Sequence, residues 1–153
     1  METSIRELTE MKAIIFEGFA PECENKAFGK MAEWRKKFKP GNCRTFGHNI
    51  DADGNLSYDP EHVGYKIFLC PEKMPEKIGD TKPGFIKPGK FVVVRIGGKI
   101  EEAGQWVMEG WANVNKMIAK KKLKVKDKAC WYEEHITTPD PGYILLDLYL
   151  EID

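Results

Sequence analysis

The chain lacks any run of the ~18 apolar residues that a membrane-spanning helix needs, and its opening Met-Glu-Thr-Ser-Ile-Arg-Glu has neither the basic segment nor the apolar stretch of a secretory leader. Both absences point to a cytoplasmic protein that does not enter a membrane. It also lacks an excess of one charge, since 24 basic and 24 acidic residues cancel. Without a positive field to gather a phosphate backbone, direct nucleic-acid binding is not expected. Cysteine is sparse: Cys23, Cys43, Cys70 and Cys130 are far apart, with no CxxC pair and no zinc spacing, so they read as reduced, mostly buried thiols. His48 and His62 have no companions that would suggest a metal site. Gly97-Gly98 precedes a helix but belongs to no GxGxxG or GKS/GKT pattern, so neither a metal nor another cofactor is expected.

What is present suits one domain, since 153 residues can bury a core of useful size. Residues 11–19 are β-branched and aromatic and end at Gly18 and Pro21, as a strand before a turn. From about Asn25 to Phe38, Phe28, Met31, Ala32 and Phe38 follow a helical period and Lys36, Lys37 and Lys39 lie at the negative end of the dipole. Arg44–Ile50 and Val63–Leu69 read as two strands, joined through Asp51-Ala-Asp-Gly-Asn55. That segment has its glycine fourth, whereas a calcium loop needs it sixth, and no closing glutamate follows, so it is a turn.

Residues 71–88 carry four of the nine prolines and no apolar period, which marks a linker. The pattern then repeats. Lys90–Ile96 is a strand, a helix runs from about Glu101 to Lys121 with Ala103, Val107, Trp111, Val114 and Ile118 on one stripe, and two strands follow. The last, Tyr143–Ile152, puts Ile144, Leu146, Leu148, Leu150 and Ile152 on one face. Two βαββ repeats, about 4–70 and 85–153 with a linker at about 71–84, most simply form a single α+β domain. It would be one antiparallel sheet with two long helices on one face and a central ligand groove.

One stretch carries more polar chemistry than a strand ordinarily does. In Ala129-Cys-Trp-Tyr-Glu-Glu-His-Ile136 the period of two places Trp131, Glu133 and His135 on one side and Tyr132, Glu134 and Ile136 on the other. One carboxylate therefore points inward, where it needs a partner or a ligand. Adjacent glutamates on a strand are otherwise usually a solvent-facing and an edge residue, and a shift of one residue would exchange Glu133 for Glu134. Trp106 stands about 100° round the helix from Val107, where it widens the apolar arc toward a cavity. Trp111 is accounted for by packing, and Trp131 and Tyr149 are wall candidates with the same rival explanation. The lysine-rich run from Lys120 to Lys128 reads as a solvated helix end entering an edge strand, in preference to a contact for an acidic partner.

The order of elements, with Pro88-Gly-Lys-Phe-Val-Val-Val-Arg95, the Gly98 turn before Glu101 and Glu102, Trp111, Tyr132-Glu-Glu-His-Ile136 ahead of Pro139, and the closing Asp147-Leu-Tyr-Leu-Glu-Ile152, resembles the GyrI-like small-molecule-binding family over nearly the whole chain. That family includes the effector-binding domains of AraC-type and multidrug-sensing regulators. The resemblance implies a duplicated βαββ fold with an aromatic-lined cavity and a glutamate that neutralises lipophilic cations, falling here on Glu133 when counted back from Pro139. Ligand contacts are then expected from Glu133, Glu134, Trp106, Trp111, Trp131 and Tyr149. The function implied is a stand-alone module for hydrophobic, cationic small molecules, with no fused helix-turn-helix domain and any role at DNA needing a partner protein. The alternative is a small hydrolase of electrophilic cyclopropane-type compounds using Glu133, His135 and Tyr149, with Tyr132 a further candidate. Hydrolytic relatives tend to have tyrosine where this chain has His135, which tilts the expectation toward binding.

Overall fold

The computed structural model describes residues 2–61 and 63–153; Met1 and His62, one of the two histidines weighed as metal ligands, lie outside the described residues. Eight strands and two long helices are found among them, and every pairing between strands that is described is antiparallel, an α+β class as expected. The chain divides into two compact units, one spanning Glu10–Ile86 and the other combining Lys87–Asp153 with the N-terminal strand.

In the first unit, strand β2 (Met11–Phe19) leads into helix α1 (Cys23–Phe38), followed by β3 (Cys43–Ile50), β4 (Gly64–Pro71) and β5 (Lys82–Ile86), with the strand order β3-β4-β2-β5. The register sets Ile14 opposite Leu69 and Phe16 opposite Ile67, and these side chains meet Ala27, Met31 and Trp34 of α1 in a closed core. The Trp34 indole donates to the Ile78 carbonyl at 3.1 Å and so ties the segment before β5 to the helix. Asp51 accepts from the amides of Asp53 and Asn55 at 2.9 and 3.0 Å, which makes the Asp51–Asn55 segment the turn its composition predicts.

In the second unit, β6 (Gly89–Lys99) passes through a single 3₁₀ turn (Ile100–Glu102) into α2 (Ala103–Lys120), and β7 (Trp131–Ile136) and β8 (Tyr143–Ile152) close it. β1 (Glu2–Leu8) adds at the outside of β6, giving the order β1-β6-β8-β7. Val92, Val94, Ile96, Leu146 and Leu148 face α2 and pack against Trp106, Val114 and Met117. α2 comes down close because Gly110 has no side chain: a Cβ there would stand 2.7 Å from the Ile96 Cδ1 and 2.8 Å from the Leu148 Cδ1.

Each unit is thus a βαββ repeat with one added outer strand, and both have the same strand order. Three boundaries differ from expectation. Residues 2–8 pair with β6 and belong to the second unit, although they precede the first repeat. β5 lies inside the proline-rich segment; as an outermost strand it tolerates Pro83, whose missing N–H costs no ladder bond on an open side. The lysine run forms no strand: Val125 makes a single bridge to Ile152 and Lys122 adopts a positive φ of 53° at the turn after α2. All four cysteines are free.

Candidate functional site

Pairing between β7 and β8 settles which carboxylate faces where. Glu133 stands opposite Leu148 and His135 opposite Leu146, and both leucines belong to the core under α2, so Glu133, His135 and Trp131 share the α2 side of the sheet. Trp111 of α2 meets Trp131 edge-on, with ring centroids 5.5 Å apart. All four side chains are half-buried. Polar and aromatic groups that solvent can still reach thus interrupt a face otherwise made of closed aliphatic core.

Glu134 and Tyr149 lie on the other face. Tyr149 is fully buried and Glu134 5% exposed, and the tyrosine hydroxyl donates to Glu134 Oε1 at 2.7 Å. Register builds a polar row here across four strands, Glu2 opposite Arg95, Arg95 opposite Asp147 and Asp147 opposite Glu134. Arg95 grips Asp147 with two bonds, 2.8 and 2.9 Å, and Arg6 adds a third at 3.1 Å. Burial pushes the Asp147 carboxyl up, yet hydrogen bonds and charge from Arg95 and Arg6 outweigh it and hold the group below its ordinary value. The same bonds raise the Arg95 guanidinium further above its usual range. Phe91 and Tyr132 complete this face, and the Tyr132 hydroxyl accepts from the Lys87 amide at 3.1 Å.

A third buried carboxylate, Glu151, accepts from the Cys130 amide at 2.9 Å and from the ammonium groups of Lys87 and Lys126 at 3.1 and 3.4 Å. Burial raises the Cys130 thiol, which leaves it protonated and inert. Alternation along β8 leaves Asp147 and Glu151 on the face opposite Leu146, Leu148 and Leu150, but their partners were not foreseen from the sequence. The only available signal was an acid at every fourth position of an otherwise apolar strand.

No protein-family model matches the sequence, and no curated protein matches it. Solved structures do. The C-terminal domain of EcmrR superposes with a TM-score of 0.72 at 11% identity, over 99% of this chain and 97% of that one. SAV2435 bound to tetraphenylphosphonium gives 0.60 at 11% identity over 100% and 94%, and a hydrolase from Listeria innocua gives 0.62 at 14% over 99% and 92%. The fold is GyrI-like. At these identities the likeness is one of fold.

Within this GyrI-like fold the six expected ligand residues divide into two sets and one outlier. Glu133, Trp111 and Trp131 come together on the α2 side, and Glu134 and Tyr149 on the other. Trp106 joins neither: it is 9% exposed, its indole donates to the Lys99 carbonyl at 3.0 Å, and the ring lies flat where Gly98 has no side chain. Trp106, expected to widen the apolar arc toward a cavity, is sealed in the core, while Trp111 packs against that core and stays half-buried. Of the expected catalytic partners of Glu133, only His135 shares its face; Tyr132 and Tyr149 do not. Among the described residues no three histidine, cysteine or acidic side chains gather to hold a metal, and no helix is long and apolar enough to cross a membrane.

Desolvation lowers the His135 imidazole from 6.5 to about 4, against the opposing pull of Glu134's charge, so at neutral pH it is an uncharged neighbour of Glu133. A base whose folded pKa lies below its unfolded one stabilises the fold fully above the unfolded value and loses that contribution as the pH falls toward the folded one. Stability is therefore expected to drop by up to about 3 kcal/mol between pH 6.5 and 4. Chemical denaturation across that range checks it: His135→Asn should flatten this limb, and an unchanged slope in the variant would refute the assignment.

Proposed function

We propose that the chain is a binding module for hydrophobic, cationic small molecules, received on the α2 side of the second unit by Glu133, Trp111 and Trp131. The observation that carries this reading is the half-buried Glu133 beside the edge-on Trp111–Trp131 pair. A ligand carboxylate must be reachable, and Glu133 is, whereas Glu134 is closed off with Tyr149. Partial desolvation strengthens the attraction of a carboxylate for a cation, and an indole face adds roughly 0.5–2 kcal/mol. The neutral His135 alongside keeps positive charge away from that spot at physiological pH. Apolar burial at roughly 25 cal/mol per Å² would supply most of the affinity, which favours broad selectivity by shape. The neighbour solved with tetraphenylphosphonium supports the ligand class.

Titration with tetraphenylphosphonium, followed by tryptophan fluorescence, tests the reading. A saturable change is expected in the wild type, with affinity about tenfold weaker in Glu133→Gln and similarly weaker in Trp111→Leu. No saturable change, or equal affinity in Glu133→Gln, would overturn it. The hydrolase among the neighbours keeps a second reading in view, in which Glu133 acts as general base on water, helped by His135 on the same face. Turnover of electrophilic cyclopropane-type compounds, lost in Glu133→Gln, would favour that reading over simple binding.

A further inference from the structure

β1 is the outermost strand of the second unit and pairs with β6 through all seven of its residues, Glu2 with Arg95 through Leu8 with Gly89, without a bulge. It contains neither proline nor glycine, so nothing in its backbone prevents a further strand from adding on its open side. The outermost strand of the first unit is guarded differently: β5 has only five residues and carries Pro83. Midway along β1, Ile5 is 40% exposed.

The side chains of β1 are self-complementary under a two-fold axis. In an antiparallel pair centred on Ser4, Glu2 of each copy faces Arg6 of the other, and Thr3 faces Ile5. The first pairs are opposite charges on one face, and the second are β-branched contacts on the other. Arg6 has capacity for this. Its Nε donates to Ser4 Oγ at 3.0 Å and Nη1 to Asp147, and 34% of the side chain remains exposed. A net charge of zero means that two copies do not repel each other as wholes.

We propose that the open side of β1 is a docking edge for a second copy of this chain, joined antiparallel about Ser4 in a two-fold dimer. Sedimentation and light scattering of the full chain, tagged only at its C-terminus, should show a concentration-dependent dimer. Glu2→Lys places like charges opposite each other twice and should weaken the dimer about tenfold or more. Glu10→Lys makes the same change in net charge at an exposed residue outside β1 and should leave the constant unchanged. Ser4→Cys should give a covalent dimer under mild oxidation, since the two residues meet on the axis, whereas Thr3→Cys should not. A chain that stays monomeric at every concentration would overturn the proposal. So would a dimer that Glu2→Lys leaves equally tight and Ser4→Cys does not cross-link.

Discussion

Asp147→Asn should cost about 2–4 kcal/mol of unfolding free energy, although the replacement has nearly the same shape. Asp147 has no exposed surface and holds three hydrogen bonds from two arginines. An amide cannot accept all three, and its loss of charge leaves Arg95 and Arg6 without the carboxylate that they grip. The lower part of the usual range for a broken buried pair applies because about a third of each arginine reaches solvent. Asp147 is held below its ordinary pKa, so the stabilisation is fully present above the unfolded value of about 4 and is lost as the pH falls through the folded one. The gap between wild type and variant should therefore be widest near neutrality and close in acid. Urea unfolding at several pH values measures this, and a gap that persists undiminished at low pH would point to packing and not to charge.

Gly18→Ala should cost about 3 kcal/mol or more and lower the melting temperature by about 10 °C. Gly18 lies in β2 beneath the first turn of α1. A Cβ there would stand 2.1 Å from the Cys23 carbonyl oxygen and 2.7 Å from the Ala27 amide nitrogen. Both are backbone atoms of a helix, so no rotamer change relieves the clash and α1 must lift from the strand it covers. That would open the core formed by Ile14, Phe16, Ala27, Met31 and Trp34. Gly29, on the same helix, provides the control: nothing lies within 4 Å of a Cβ there, and alanine should stabilise by up to about 1 kcal/mol. Equal melting temperatures for the two variants would show that the approach of α1 to β2 is not what Gly18 provides.

The duplicated pattern was legible because its signal is periodic. Ile144, Leu146, Leu148, Leu150 and Ile152 alternate over ten residues, and Ala103, Val107, Trp111, Val114 and Ile118 keep to one stripe, so both elements form where expected. The two outer strands were not legible. β1 has only Ile5 and Leu8 as large apolar residues, and β5 holds Pro83 and Gly84; each is made a strand by the partner beside it.

The site divides along similar lines. Alternation alone separated Glu133 and His135 from Glu134, because a strand's side chains must point to opposite faces. Which face carries α2 depended on the pairing of β7 with β8, a long-range choice in which Leu146 and Leu148 take the core side. In the sequence Trp106 stands beside the helical stripe that carries Trp111. Only packing against Gly98 sealed the first, and only Trp131, twenty residues further on, left the second half-open. Local order thus determined the strongly periodic elements and their faces, since periodicity acts over a few residues. Tertiary structure decided which face is core, which carboxylate is closed and which is within reach, because burial and charge pairing belong to neighbours far apart in the chain.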